Sequence, residues 1–179
     1  MDFKINGFLN ISFGENKQST IEKIEERNGI LDLDNSTDDS LIFDNLKFAG
    51  RETIFSAFHF INDEFCRAMV FLKANLESRT IELYQQIKEE ITQKYYITNQ
   101  GFENYQYPYE KNDGHTETAI SMGKASFSSF WKFKNDKTNE DDYISIKIDE
   151  NFHIIIVYEN GRLMNKYDVN KNENNFQDY

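Results

Sequence analysis

The chain of 179 residues has the length of one ordinary domain, and 39% hydrophobic residues, with 16 Phe and 10 Tyr, can bury a substantial interior. Its 31 acidic and 20 basic residues leave a formal charge of -11, which opposes phosphate backbones and anionic lipid surfaces and leaves a basic protein or a cation as the expected charged partner. Cys66 is the lone cysteine, which excludes an internal disulfide and an all-cysteine metal site and fits a reducing compartment.

The opening "MDFKINGFLN" has neither a basic leader region nor a long apolar run, and no stretch approaches the roughly 18 uninterrupted apolar residues of a spanning helix. Cytoplasmic residence is the expectation, unless a leader has been removed. After a short strand ending at Phe13-Gly14, Ile21 and Ile24 recur at helical spacing and Asn28-Gly29 is a stop signal, so a helix is predicted near 16–28. "DLDNSTDDS" reads as a solvated loop and "LIFDNLKF" as a strand with a bend at Gly50. "ETIFSAFHF" and "FCRAMVFLK", separated by Ile61-Asn62-Asp63-Glu64, read as an antiparallel hairpin.

From Glu77 to Tyr95, Ile81, Tyr84, Ile87, Ile91 and Tyr95 recur at intervals of three and four, which predicts a helix over 77–95. "SFSSFWKFK", "YISIKI" and "FHIIIVYE" follow as three strands, the last two joined by "DENF". Between helix and strands, residues 96–125 hold Pro108 among Tyr105, Tyr107 and Tyr109; a loop of that length inside a domain implies a strand or a functional loop. The expectation is a single α+β domain over 1–167, with two helix-plus-three-strand halves at about 7–75 and 76–160. These halves form a mainly antiparallel sheet with both helices on one face. Residues 168–179 read as a frayed polar tail.

The phrases "NISFGENKQSTIEKIEERNG" and "LIFDNLKFAGRETIFSAFHFINDEFCRAMVFLK", followed by a helix ending in "ITQKYY", resemble a pattern of small bacterial proteins. The doubled helix-plus-meander layout is similar to the β-lactamase-inhibitor-protein-like fold. The resemblance covers about residues 7–160 as architecture and implies no catalytic residue. A lone cysteine does not match the cysteines of the secreted inhibitor, and no export signal is expected.

Gly14 is expected to turn the chain into the first helix, with anion binding at the helix N-terminus as the functional alternative. The run Asp32, Asp34, Ser36, Asp38, Asp39 begins like a calcium loop, but Thr37 and Phe43 stand where a glycine and a bidentate Glu are required. His115-Thr116-Glu117 lacks the cysteine partners of a zinc deaminase. "SMGKAS" has the wrong spacing for a phosphate loop. His59 and His153, with or without Cys66, make a metal or Cys-His site conceivable if the sheet brings them together. No cofactor, no metal and no catalytic residue is expected.

Strand alternation puts Cys66, Ala68, Val70 and Leu72 on one side of "FCRAMVFLK" and Phe65, Arg67, Met69 and Phe71 on the other. Tyr143, Ser145 and Lys147 share one side of "YISIKI". One sheet face suits helices; the other mixes aromatics, Met, Arg and Lys as protein-binding surfaces do, unless residues 96–125 cover it. The leading expectation is therefore a non-catalytic protein-binding module, of inhibitor or immunity type. Phe65, Arg67, Met69, Phe71, Tyr143 and Lys147 would form its anchor, and Asp32, Asp34, Asp38 and Asp39 would attract a basic partner protein. The alternative is a small-ligand-binding domain or enzyme with a pocket under 96–125, using Tyr105, Tyr107, His115 and His59.

Overall fold

The computed structural model describes residues 4–95, 100–135 and 140–166; the expected tail at 168–179 lies outside them. A short hairpin, β1 (Gly7–Phe8) and β2 (Ile11–Ser12), opens the chain and leads through Gly14 to helix α1 (Lys17–Glu25). Asn16 caps α1 by accepting the Ser19 N–H. The helix buries Thr20 and Ile24 rather than a full stripe, and Ile21 is only partly covered.

Strands β3 (Ile30–Thr37) and β4 (Ser40–Asp44) follow, so the run expected as a solvated loop is instead an antiparallel hairpin with Asp38 and Asp39 at its turn. Its polar composition hides the strand: β3 is a sheet edge, mostly exposed, and needs no buried side chains of its own. A small hairpin, β5 (Lys47–Phe48) and β6 (Arg51–Glu52), precedes β7 (Phe55–Ile61) and β8 (Glu64–Lys73). Asn62 and Asp63, both at positive φ, make the tight two-residue turn between β7 and β8. Asp63 then accepts the Lys17 N–H at 3.0 Å, tying that turn to the start of α1.

A 3-10 turn (Glu77–Arg79) runs into α2 (Thr80–Tyr95), which buries Thr80, Tyr84, Ile87 and Ile91. Beyond it come β9 (Gln100–Tyr105), α3 (Thr116–Ser121), β10 (Ala125–Phe133), β11 (Asp142–Ile148) and β12 (His153–Glu159), then a helical turn at 161–166. The fold is α+β, around one eight-stranded antiparallel sheet in the order β3-β4-β7-β8-β12-β11-β10-β9. Each of α1 and α2 is followed in the chain by four strands of this sheet, not three, because β3 and β9 were hidden in polar or tyrosine-rich sequence.

Helices α1 and α2 lie on the same face. Ile24, Tyr84, Ile87 and Ile91 join Phe43, Phe58, Val70, Ile156, Ile144 and Trp131 in one continuous core. Two polar contacts set α2 against β10: the Tyr84 hydroxyl and Ser129 Oγ are 2.8 Å apart, and Trp131 Nε1 donates to Thr92 Oγ1 at 3.1 Å. α3 adds Ile120 to the same core, so the segment 100–125 extends the sheet edge and packs on the helix side.

Candidate functional site

The register of the ladders defines the face that the helices leave free. One row runs Ile42, Ala57, Met69, Val157, Ser145, Phe130 across six strands. On one side of it lies the row Phe55, Phe71, Ile155, Lys147, Ser128, Phe102. On the other lies Ser40, His59, Arg67, Glu159, Tyr143, Lys132. Among the described residues no helix lies over these three rows. The turn at 161–166 covers only the β7–β8 turn end, where Leu163 and Met164 pack with Ile61 and Cys66.

Two aromatic groups stand on this face. Phe55 and Phe71 stack at 4.1 Å, with His153 edge-on to Phe71. Four strands away, Phe102 stacks on Phe130, and Phe130 meets Tyr143 edge-on. Four inter-strand steps separate Phe71 from Phe102, a span of about 19 Å. Between the groups lie Ile155, Val157, Ser145 and the exposed Lys147.

Of the residues read from the sequence, Met69, Phe71, Tyr143 and Lys147 are on the free face. Arg67 is there too, in an ion pair with Glu159 at 3.0 Å. Phe65 is not. His59 faces Arg67 but Phe60 faces Phe65, so the ladder skips Cys66. This extra residue is a β-bulge, which reverses the alternation beyond it. Phe65 turns into the helix-side core at 0% exposure, against Phe13, Phe58 and Phe60. Phe55, Ile155, Val157, Phe102 and Phe130 were missed. The alternation of "SFSSFWKFK" contains the signal for Phe130, whereas the other four depend on pairing across the sheet.

Acidic residues gather at the β3–β4 end. Asp32 faces the same side as Ile42, and its carboxylate accepts the Asp34 and Asn35 N–H groups and the Asn35 side-chain amide. The Asn35 amide foremost, then these backbone bonds, holds the Asp32 carboxyl below the usual carboxylate range. Asp34, Asp38 and Asp39 are exposed.

His59 Nε2 is buried with no hydrogen-bond partner among the described residues. Burial, then the Arg67 charge, pushes its pKa down to about 4. The Cys66 thiol donates to the His59 carbonyl at 3.2 Å, and burial raises its pKa to about 12, which makes it a poor nucleophile. His59 and His153 do not meet: they face Arg67 and Lys73, six residues apart along β8, about 20 Å. His153 instead bonds the Asp149 carboxylate in its own turn. No group of three metal-ligating side chains is found among the described residues.

The residues of the pocket alternative do not converge. Tyr105 packs against the helix-side core, Tyr107 is 91% exposed, His115 is exposed before α3, and His59 sits on β7, across the sheet. Two hollows lie on the helix side: about 630 Å³ beside Arg51, Leu76, Arg79 and Leu83, and about 400 Å³ beside Gly7, Arg27, Phe48 and Lys94. Neither is lined by those four residues.

Gly14, at φ 91°, turns the chain, and its N–H bonds the Phe65 carbonyl at 2.8 Å. The place for an anion before α1 is filled from within: Glu15 takes the Ser12 N–H, the Ser19 hydroxyl and the Lys23 ammonium. No family model, no curated protein and no solved structure matches the chain. No helix among the described residues is long and apolar enough to cross a membrane.

Proposed function

We propose that this chain is a non-catalytic protein-binding module that seats a partner protein on its helix-free sheet face, as an inhibitor or immunity protein does. The observation that supports this reading is the pair of aromatic groups, Phe55 with Phe71 and Phe102 with Phe130 and Tyr143, with the buried Ile155, the half-buried Val157 and Ser145 and the exposed Lys147 between them, uncovered by any described helix. Such a surface, with aromatic anchors, Met and Arg, has the composition of an interface centre. The partner is a protein that presents an apolar protrusion with a basic rim, because Asp32, Asp34, Asp38 and Asp39 border one end of the face and the chain carries -11 overall. The four-strand run after each of α1 and α2 supports, as architecture, the doubled layout and its likeness to the β-lactamase-inhibitor-protein-like fold. The single buried thiol supports a cytoplasmic setting.

The test is affinity capture from the source cell with three baits: the unaltered chain, a face variant carrying Met69→Glu and Tyr143→Glu, and a control carrying Arg79→Glu on the helix side. One basic protein, retained in stoichiometric amount by the first and third baits and lost from the second, is the expected result. Equal retention by all three sinks the reading.

A further inference from the structure

The two edges of the sheet differ in a way that bears on self-association. At the β3 edge, the pairing with β4 breaks between Asp32 and Thr37. Asp34 and Asn35 give their N–H groups to the Asp32 carboxylate, and the Ser36 hydroxyl donates to the Asp32 carbonyl and accepts from the Ile42 N–H. That edge folds its polar groups back on itself and offers no continuous template. Among the described residues, the β9 edge has none of these devices. Its six residues pair with β10 in unbroken register, with no bulge and no proline, and Gln100 to Asn104 are exposed. Alternate N–H and C=O groups of such a strand point outward, and only another extended strand satisfies them as a row.

We propose that the occupant is a second copy of this chain, its β9 antiparallel to the first about a two-fold axis through Phe102. Directly opposed residues in an antiparallel pair share a face, so only a few alignments are open to a self-pairing strand. The alignment centred on Phe102 sets Phe102 against Phe102 of the second copy, Gln100 against Asn104, and Gly101 against Glu103. It covers a phenylalanine that is 58% exposed, pairs two amides, and places each carboxylate beside a glycine. Moving the axis to Glu103 opposes two carboxylates, which disfavours that register. The remaining charge on the strand is already balanced within each chain, since Lys111 Nζ bonds Glu103 at 2.7 Å. The assembly is isologous and closed, and it joins two eight-stranded sheets into one. It brings the Phe102, Phe130 and Tyr143 groups of both copies side by side.

Sedimentation of the full chain over a range from about 1 to 500 µM tests this, with Phe102→Lys on the β9 edge and Leu33→Lys on the β3 edge, where Leu33 is 76% exposed. The expected result is a concentration-dependent dimer that Leu33→Lys leaves unchanged and Phe102→Lys weakens at least tenfold, on the order of 1.4 kcal/mol or more. Amide exchange at Gly101 to Tyr105 in the unaltered chain should slow as concentration rises. A monomer throughout the range overturns the proposal. So does a dimer indifferent to Phe102→Lys, dissolved by Leu33→Lys, or formed without added protection on β9.

Discussion

Phe60 faces Phe65 across the β7–β8 ladder, although one step earlier His59 faces Arg67, so a single residue, Cys66, has no counterpart. This bulge divides the labour of β8. Before it, Phe65 fills the core beneath α1; after it, Arg67, Met69 and Phe71 are delivered to the free face while Ala68, Val70 and Leu72 stay inside. The Gly14 N–H and the Glu15 carbonyl hold the main chain of Phe65 from the other side.

The bulge yields a stability contrast between two phenylalanines of one strand. Phe65→Ala, which empties a fully buried site, should cost about 3–5 kcal/mol. Phe71→Ala, half-buried on the free face, should cost about 1 kcal/mol or less. Urea unfolding monitored by far-UV circular dichroism measures both. Comparable losses would mean that the free face is as tightly packed as the core.

Acid should act on His59 first. Its folded-state pKa, about 4, lies below the ordinary 6.5, so the fold holds the imidazole neutral while the unfolded chain takes up a proton. The associated stability is present above pH 6.5 and is lost as the pH falls from there toward 4. His59→Gln should remove this slope, a difference on the order of 2 kcal/mol between pH 7.5 and 4.5. Parallel stability curves for the two proteins across that window would refute the assignment.

Glu15 governs a lower window. Partial burial opposes its ionisation, but the Lys23 ammonium, the Ser12 N–H and the Ser19 hydroxyl outweigh that effect and bring its pKa from 4.5 to about 2. Because the folded value is the lower one, the contribution is present above pH 4.5 and fades as the pH falls toward 2. Glu15→Gln should therefore be less stable than the unaltered chain at pH 6, and the gap should close at about pH 2. A gap that persists unchanged at that pH would point to lost packing rather than lost charge.

Once the partner is in hand, two classes of face mutant should separate kinetically. Reversing Asp34, Asp38 and Asp39 to Lys should slow association at low salt and have little effect on dissociation, because exposed carboxylates act at long range and are screened. Truncating Phe71 or Tyr143 to Ala should mainly speed dissociation, by about 2 kcal/mol if either is an anchor. Surface plasmon resonance at two ionic strengths distinguishes them. An association rate indifferent to the acidic reversals removes electrostatic steering from the account.

Local pattern carried much of the architecture. The three-and-four spacing of Tyr84, Ile87 and Ile91 marks α2 and its buried face, because a helix of that period brings those side chains onto one stripe. The alternation in "YISIKI" correctly assigns Ile144, Ile146 and Ile148 to the core and Tyr143, Ser145 and Lys147 to the other side. Asn62-Asp63 announces its hairpin, since both residues tolerate positive φ. Four features were settled only by distant contacts. β3 is a strand because β4 offers it a ladder, not because its acidic sequence favours one. β8 and β12 meet at the centre of the sheet through residues 67–73 and 153–159, a pairing of far-separated segments that no local window contains. The side taken by Phe65 follows from the skipped Cys66. Alternation assigns side chains to two faces only while the register holds, and a bulge is a property of the pair of strands rather than of either sequence. Which face the helices cover is likewise a tertiary outcome: both faces of β8 and β12 carry apolar groups, and the helix-side packing of α1, α2 and α3 leaves the Phe71 and Phe130 side free.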